Sequence, residues 1–301
     1  MSDRAGTAGV VGLGIMGGAM TATLRRAGWP VVATDPVPAA MAAAAATGAR
    51  TVPDAASVAA EADVIVLSLP NAAIVRAVID GPGGIADSAR PGLVVVDTST
   101  LAPADARAIG AHLAELGIGY LDTPVSGGPG GAAAGTLSVM AGGDASDLAI
   151  ARGVLETLGS RVVHCGDIGA GSVAKACNQL IVVATIGAVA EALALADASG
   201  VDPAAVREAL LGGWAASPIL DLHGARMLSG DWAPGGKAVF NLKDAATLAG
   251  LSDETGIRTA VFDAAVGYIR ALVDGGNGEL DHSAIYTIVR GTSPTAITEP
   301  A

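Results

Sequence analysis

Short, almost uninterrupted apolar runs alternate with alanine-rich segments along the first half of the chain. Runs rich in β-branched residues with helical patterns between them are typical of a parallel sheet covered by helices on both faces. The pattern therefore predicts an α/β fold with a Rossmann-type doubly wound parallel sheet, closed by two further strands near 137–143 and 161–165. The main predicted strands are residues 8–11, 30–35, 64–70, 93–100 and 120–122.

The second half of the chain has no convincing strand pattern after Val173. Apolar positions recur there at helical spacing, and Asp202 before Pro203 is a typical helix start. We therefore expect an all-α C-terminal domain, with domains at residues 1–166 and 167–301, a long interdomain helix at the start of the second, and a cleft between them. The predicted helices are 173–199, 203–211, 219–228, 238–255, 259–274 and 282–290.

A glycine-rich turn follows the first predicted strand directly. Its sequence is Gly12-Leu13-Gly14-Ile15-Met16-Gly17, which has G-x-G-x-x-G spacing and leads into a helical segment. In a strand–turn–helix context this spacing allows a tight turn, close approach of a pyrophosphate and close helix packing. The chain has 42 glycines, so the spacing alone has little specificity, and the context indicates the dinucleotide site.

Asp35 ends the second predicted strand, eighteen positions after Gly17. A carboxylate there can accept hydrogen bonds from the adenosine ribose hydroxyls, and it repels a 2′-phosphate. No arginine follows in the segment 36–38, so we predict NAD in preference to NADP. The alternative is a polar strand end before a proline turn, a place that Asp often fills.

Ligands of parallel α/β sheets bind beyond the carboxyl ends of the strands. This places Leu69, Pro70 and residues 98–100 on the same rim as the glycine turn. Ser99 and Thr100 are candidates to bind the nicotinamide ribose or a substrate, although they also fit ordinary strand-to-helix caps.

The predicted strand 120–122 leads into Thr123-Pro124-Val125-Ser126-Gly127-Gly128, with more glycines beyond. Backbone N–H groups of glycines beside a serine hydroxyl suit a small anion such as a carboxylate. Ser126, Gly127 and Gly128 are therefore candidates for substrate binding, and a flexible surface loop is the alternative.

Lys175 and Asn178 are polar residues at the head of an otherwise apolar helical pattern. At i and i+3 they lie on one helix face, where an ammonium and an amide can point into one cleft. A lysine near apolar residues is a plausible acid/base, although a solvated lysine is the alternative. Lys243, followed by Asp244, can turn toward the cofactor, and Trp214 can wall a substrate pocket unless it lies in the core.

Composition narrows the classes of partner. A formal net charge of −12 without a basic cluster disfavours nucleic acid. Cys165 and Cys177 make no disulfide framework or metal-site spacing, and the N-terminus has no secretory pattern, so we expect a cytoplasmic protein. The apolar run 180–196 is shorter than the ~20 residues of a spanning helix and carries Glu191, so we expect a buried helix and no membrane. We expect no metal site, because His223 and His282 lack partner spacing and fit structural roles.

Taken together, these segments resemble the β-hydroxyacid dehydrogenase family. Four motifs match in order across nearly the whole chain, and the surroundings of Trp214 and His282 resemble the tartronate semialdehyde (2-hydroxy-3-oxopropionate) reductase branch more than the 3-hydroxyisobutyrate dehydrogenase branch. The motifs are residues 12–17, residues 122–128, the segment 166–178 and Lys243-Asp244.

The resemblance implies a role for each candidate residue. Lys175 is the implied catalytic residue, Ser126 with Gly127 and Gly128 holds the substrate carboxylate, and Asn178 orients the reacting oxygen. Thr100 and Lys243 are implied to lie near cofactor and substrate. Two departures are visible. Asp35-Pro36 replaces the Asn-Arg-Thr-like sequence by which many reductase-branch members accept NADP, and Trp214 stands where a smaller aromatic is expected.

The sequence thus predicts reversible hydride transfer between NAD and a short 3-hydroxy carboxylate or its semialdehyde. The best match is 2-hydroxy-3-oxopropionate reduction, and the first alternative is 3-hydroxyisobutyrate oxidation. An imine reductase on the same scaffold is the next alternative, disfavoured by Lys175, and a non-catalytic NAD-binding protein is the last. A partner subunit can cover the long apolar helix, so we expect a homodimer or homotetramer.

Overall fold

The computed structural model describes residues 6–294. Within these residues, nine strands form one sheet. The strands are β1 (Ala8–Val11), β2 (Val31–Thr34), β3 (Arg50–Thr51), β4 (Val64–Leu67), β5 (Val94–Asp97), β6 (Gly119–Asp122), β7 (Val125–Ser126), β8 (Leu137–Gly142) and β9 (Gly159–Gly166). Their order in the sheet is β3-β2-β1-β4-β5-β6-β8-β7, and β9 pairs with β8. Pairing is parallel from β3 through β6 and between β8 and β9, whereas β8 is antiparallel to β6 and β7.

The four central strands β1, β2, β4 and β5 are buried along their whole length. Their side chains alternate between two hydrophobic clusters, one on each face of the sheet. Val64 and Val66 belong to one cluster, whereas Ile65 and Leu67 belong to the other. This two-sided burial explains the uninterrupted apolar runs, and the predicted doubly wound parallel sheet is confirmed.

In the described part of the chain, thirteen α-helices connect and follow these strands. Short 3₁₀ turns at Ile85–Asp87 and His282–Ala284 and a π-helical turn at Val273–Asn277 complete the helical structure. The α-helices are α1 (Ile15–Arg26), α2 (Pro38–Ala46), α3 (Ala55–Ala59), α4 (Ala72–Asp80), α5 (Pro103–Glu115), α6 (Gly128–Ala134), α7 (Ala145–Leu158), α8 (Ala170–Ala198), α9 (Pro203–Leu211), α10 (Pro218–Ser229), α11 (Ala238–Thr255), α12 (Ala260–Leu272) and α13 (Ile285–Val289).

The glycine-rich segment after Ser126 forms a short helix, and so differs from the flexible surface loop given as the alternative. Gly127 caps a short helix, α6, which runs to Ala134. Pro129 lies in the first turn of this helix, where a missing N–H costs nothing, and the alanines that follow are good helix formers. The anion-binding prediction therefore falls on a strand-to-helix junction.

The chain divides into two compact units between Lys175 and Ala176. The predicted boundary after Gly166 stays a prediction. In the second unit, within the described residues, the structure contains helices and one isolated β-bridge, between Lys237 and Asp281. The predicted helices of this half are present, although 259–274 ends as α12 at Leu272 and 282–290 begins as a 3₁₀ turn.

Helix α8 belongs to both units and is the longest element. Its 29 residues are long and apolar enough to cross a membrane by length and composition, so the argument from a short apolar run was wrong. Val183, Ile186 and Ala190 lie on one side of the helix and pack in the core of the second unit. Ile181 and Leu195 are exposed by more than half. The burial of one stripe favours a core helix with an uncovered apolar face.

Candidate active site

The sheet register brings the predicted cofactor residues to one edge. Val11 of β1 lies beside Thr34 of β2 and Leu67 of β4, and Leu67 lies beside Asp97 of β5. The next residues of all four strands therefore emerge together at the carboxyl edge. Strand order reverses between β1 and β4, and this is the position at which open α/β sheets bind nucleotides.

Three glycines shape the turn between β1 and α1. Gly12 has φ +91°, a left-handed conformation that favours glycine, and it lies against the carbonyl of Ser68. A side chain at Gly17 would collide with the carbonyl oxygen of Gly12, so the helix can pack this closely only with glycine there. A methyl group at Gly14 would meet nothing within 4 Å. This open place lies at the start of α1, whose first turn carries no acidic side chain.

Asp35 is bonded directly to the glycine turn. Its Oδ2 accepts a hydrogen bond from the N–H of Leu13 at 2.7 Å, and its Oδ1 accepts one from Val37 at 2.8 Å. A carboxylate offers about four acceptor positions, so hydroxyl groups of a ribose can be bound as well. Ile15 and Met16 follow in the first turn of α1. The predicted residues of this motif therefore lie together.

The loops after β4 and β5 are tied to each other. Ser99 Oγ accepts the N–H of Leu69 at 2.9 Å, and Thr98 Oγ1 donates to the carbonyl of Leu67 at 2.6 Å. Ser99 is thus engaged in the scaffold that holds Leu69 and Pro70, rather than presented to a ligand. The Thr100 hydroxyl makes no hydrogen bond within residues 6–294, so of these three hydroxyls it is the one available to a ligand.

A buried carboxylate that the sequence reasoning missed lies beneath these loops. Asp97 is almost completely buried, and it accepts hydrogen bonds from the Ser99 N–H at 2.9 Å and from the Tyr120 hydroxyl at 3.2 Å. Burial raises the pKa of Asp97 to about 6, although the bonds from Ser99 and Tyr120 oppose that rise. Its position at the end of a buried strand, followed by hydroxyl residues, is the signal that could have identified it.

A second buried carboxylate, Asp122, holds the start of α8. Its Oδ1 accepts the N–H of Gly169 at 2.8 Å, and its Oδ2 accepts both the N–H and the hydroxyl of Ser172, at 2.6 and 2.8 Å. Burial raises the pKa of Asp122, and these hydrogen bonds oppose the rise. The N–H groups at a helix start have no partner within the helix, so Asp122 supplies one for them.

Lys175 lies one turn further along α8. Its Nζ donates a hydrogen bond to the carbonyl oxygen of Val125 at 2.8 Å, and its side chain is half-buried. Val125 directly precedes Ser126, which pairs with Ser138 of β8. The structure therefore brings the predicted catalytic lysine next to the predicted carboxylate-binding segment, although 50 residues separate them in sequence.

Asn178 is connected through Gln179 to Asp244 in the second unit. Asn178 Nδ2 donates to Gln179 Oε1 at 2.8 Å, and Gln179 Nε2 donates to Asp244 Oδ2 at 2.5 Å. Sequence reasoning missed Gln179. Trp214 lies between α9 and α10 and is fully exposed, so the core alternative is wrong and its substrate-binding role stays a prediction.

His223 and His282, which have no partner spacing in sequence, are in contact in the second unit. Their Nε2 atoms lie 3.4 Å apart, and Asn241 Nδ2 lies 3.1 Å from His282 Nδ1. Asp281 Oδ1 lies 3.5 Å from His223 Nδ1. Ligand-type atoms of the two histidines and Asp281 come within 4.8 Å of one another, an arrangement that could hold a metal ion.

The donors around Asp281 favour a structural role for this cluster. Asp281 is completely buried; its Oδ2 accepts from Arg226, Gly235 and Gly236, and its Oδ1 accepts from Ser283. A carboxylate engaged by five donors, one of them a guanidinium, has little capacity left for a cation. Our expectation of no metal site stays a prediction.

The titration behaviour of the cluster follows from its burial. Burial lowers the pKa of His282 from 6.5 to about 4, despite the nearby Asp281. The pKa of Asp281 is lowered too, because hydrogen bonds and the neighbouring histidines outweigh the effect of its own burial. The pair is therefore set up as a neutral histidine beside an ionised carboxylate at neutral pH.

The doubly wound sheet, its glycine turn and the Asp35 carboxylate define a dinucleotide-binding α/β protein with an all-α second part. Comparison with known proteins agrees. Residues 7–166 match the family described as the NAD-binding domain of 6-phosphogluconate dehydrogenase. Residues 169–289 match the family described as NAD-binding of NADP-dependent 3-hydroxyisobutyrate dehydrogenase.

Similar proteins extend over most of the chain. The 2-hydroxy-3-oxopropionate reductase of Escherichia coli (strain K12) is 39% identical over 236 residues, which is 78% of this chain and 80% of that protein. The NAD-dependent L-serine dehydrogenase of Pseudomonas aeruginosa is 36% identical over 283 residues, 91% of this chain and 95% of its own. The structure of Mycobacterium tuberculosis 3-hydroxyisobutyrate dehydrogenase with L-serine has a TM-score of 0.85 and 33% identity, covering 95% of this chain and 100% of that one.

The chain therefore belongs to the β-hydroxyacid dehydrogenase family. It is an NAD(P)-dependent oxidoreductase that acts on CH–OH groups, and its cofactor is a nicotinamide dinucleotide.

The different surroundings of Gly14 and Gly17 give a paired test of the turn. Gly17→Ala should lower the free energy of unfolding by about 1–3 kcal/mol, because the methyl group collides with backbone. Gly14→Ala should keep the stability within about 0.5 kcal/mol but weaken dinucleotide binding, because its methyl group occupies space intended for phosphate. Urea unfolding and dinucleotide titration measure both effects. Equal stability of the two variants would contradict this account of the turn.

His282 should make the protein less stable as the pH falls from about 6.5 to 4. In this pH window the unfolded chain binds a proton that the folded protein excludes. The free energy of unfolding therefore falls by about 3 kcal/mol by pH 4. Urea unfolding at several pH values should show this loss, and the His282→Gln variant should show a smaller slope. Asp97, whose pKa is raised, changes the stability in the opposite direction between about 3.8 and 6, but it is present in both proteins. Parallel pH profiles would contradict the role given to His282.

Proposed function

We propose that the protein reduces 2-hydroxy-3-oxopropionate (tartronate semialdehyde) with NADH and catalyses the reverse oxidation. The observation that carries the proposal is the hydrogen bond from Lys175 Nζ to the Val125 carbonyl, because it holds an amine next to Ser126. A short acid whose carboxylate binds at Ser126, Gly127 and Gly128 would have its second or third carbon near that amine. The similarity to the Escherichia coli reductase supports this substrate.

In the proposed mechanism each residue has a separate task. The Ser126 hydroxyl and the N–H groups of Gly127 and Gly128 bind the carboxylate and orient the substrate. Lys175 gives a proton to the carbonyl oxygen during reduction and removes it during oxidation. Asn178 hydrogen-bonds the same oxygen. The bound nicotinamide supplies or accepts the hydride.

The Thr100 hydroxyl and Lys243 complete the proposed site. Thr100 follows β5 at the carboxyl edge, with its hydroxyl available, so it is proposed to bind the nicotinamide ribose or the substrate. Lys243 on α11 is proposed to contact the cofactor, and Trp214 the substrate. Leu69 and Pro70 are proposed to line the cofactor.

Residue usage supports an acid/base role for Lys175. The chain contains three lysines, at positions 175, 237 and 243, against fourteen arginines. An arginine can hold an anion as well as a lysine, but its guanidinium does not lose a proton in a protein. A lysine in a chain that otherwise uses arginine for positive charge is consistent with a need for an amine that can be deprotonated.

NAD is the proposed cofactor because of the charge beside the glycine turn. Asp35 is fixed by Leu13 and Val37, so its carboxylate cannot swing away from a ribose bound there. A 2′-phosphate would face this negative charge at close range, which disfavours NADP.

Two further properties belong to this proposal. The uncovered apolar face of α8, which includes Ile181 and Leu195, is proposed to be covered by a second copy of the chain in a homodimer or homotetramer, and the mass in solution tests this. Domains at residues 1–166 and 167–301 and a cytoplasmic location are also proposed. Both cysteines are free, and fractionation tests the location.

The structure with L-serine gives a specific reason for a second candidate. That relative is named 3-hydroxyisobutyrate dehydrogenase, and L-serine is also a 3-hydroxy carboxylate. Oxidation of 3-hydroxyisobutyrate or L-serine would use the same carboxylate site and the same lysine. An imine reductase and a non-catalytic NAD-binding protein are the remaining alternatives.

A spectrophotometric panel tests the function directly. The purified protein should oxidise NADH with 2-hydroxy-3-oxopropionate at a kcat/KM at least about tenfold above that with NADPH. The reason is that repulsion between Asp35 and the 2′-phosphate should lower kcat/KM with NADPH by about tenfold or more. The panel should include 3-hydroxyisobutyrate and L-serine with NAD, and a cyclic imine. Higher kcat/KM for one of the hydroxy acids would move the assignment to it, and activity on the imine alone would overturn the proposal.

Lys175→Ala should lower kcat by about 10² to 10⁴, the usual contribution of a general acid or base, while NAD still binds. Lys237→Ala is a matched control, because the Lys237 side chain is half-buried and pairs with the exposed Glu279. The control should change kcat less than about twofold. Stopped turnover with intact NAD binding supports the role of Lys175, and near-normal turnover would exclude it.

A further inference from the structure

A network of three hydrogen-bonded polar side chains lies in the second unit and joins α8 to α11. Asn178 Nδ2 donates to Gln179 Oε1 at 2.8 Å, and Gln179 Nε2 donates to Asp244 Oδ2 at 2.5 Å. Gln179 is the only glutamine in the sequence. All three side chains are half-buried, so water competes with these hydrogen bonds less than it does at the surface.

The carboxylate of Asp244 decides which groups donate and which accept in this network. An ionised carboxylate only accepts hydrogen bonds, so Gln179 must turn its NH₂ group toward Asp244. Its carbonyl oxygen then faces the other way and must accept from a donor, which is the NH₂ group of Asn178. An amide has two ends of similar shape, and nothing but such a network decides which end points where.

We propose that Asp244 and Gln179 are positioning residues that fix the orientation of the Asn178 amide for the reaction. The proposal rests on the proposed function, in which Asn178 binds the reacting oxygen. Turning the Asn178 amide over would place its oxygen against the oxygen of Gln179, which repels it. The network thus keeps the Asn178 amide in one of its two orientations before the substrate binds, and this lowers the free energy needed to reach the reactive geometry.

Exchanging the amide of Gln179 and the carboxylate of Asp244 tests the direction of hydrogen bonding in the network. Asp244→Asn keeps the shape but offers both a donor and an acceptor, so the orientation of Gln179 is no longer fixed. Gln179→Glu places two carboxylates against each other. Each single variant should lower kcat about tenfold, the usual effect of one lost hydrogen bond, and leave the Kd of NAD within about twofold.

The double variant Gln179→Glu/Asp244→Asn should recover kcat to within about threefold of wild type. The new amide at position 244 then donates to the new carboxylate at position 179, whose second oxygen accepts from Asn178. A merely structural role does not predict this recovery in kcat at unchanged thermal midpoint. Glu191→Gln is the matched control, because it makes the same carboxylate-to-amide change on α8, where Glu191 accepts from Tyr268 at 2.8 Å. It should leave kcat within about twofold of wild type.

The outcomes separate the two proposals. Unchanged kcat in Asp244→Asn, or a double variant no faster than the slower single variant, would overturn the positioning role of Gln179 and Asp244. Wild-type turnover would still support the proposed function. Absence of wild-type turnover with every hydroxy acid and semialdehyde of the panel would overturn the proposed function, and with it the role given to Asn178.

Discussion

The buried carboxylate of Asp122 decides where the longest helix of the protein begins. It lies at the carboxyl end of β6 and accepts three hydrogen bonds at the start of α8, from the N–H groups of Gly169 and Ser172 and from the Ser172 hydroxyl. Since Lys175 is the next polar residue along that helix, the same contacts set how far its amine can reach. The hydrogen bond to Val125 then completes a triangle of β6, β7 and α8 within the first unit.

Asp97 plays a similar part at the neighbouring strand. Residues Asp97 and Asp122 are paired in the register of β5 and β6, and both are nearly inaccessible to water. Each uses its oxygens to hold backbone N–H groups of a loop or helix that follows a strand. Burying two carboxylates is costly, and the cost is offset because their hydrogen-bond capacity goes to N–H groups that would otherwise be unpaired. The two buried carboxylates therefore fix the segments that follow β5 and β6 at the carboxyl edge of the sheet, where the candidate ligand-binding groups lie.

Much of this arrangement could be predicted from the sequence because its causes are local. The β-branched runs identified the central strands, and the spacing of Gly12, Gly14 and Gly17 identified the turn, since each effect acts within a few residues. The neighbourhood of Lys175 and Ser126 was expected from a resemblance, and the hydrogen bond from Lys175 to the Val125 carbonyl required the coordinates. Helix α6 was missed because glycines outweigh alanines in any local estimate for that segment. The His223–His282 contact was missed because it joins positions 59 residues apart and has no periodic signature.

The scarcity of lysine has a chemical consequence if the substrate is the semialdehyde proposed above. A semialdehyde of the proposed kind condenses with unprotonated amines to form imine adducts, whereas it does so far less readily with guanidinium groups. With fourteen arginines and only two lysine side chains besides Lys175, the surface offers few sites for such covalent damage. The same low lysine content limits unwanted reaction of such a substrate with amines elsewhere on the molecule.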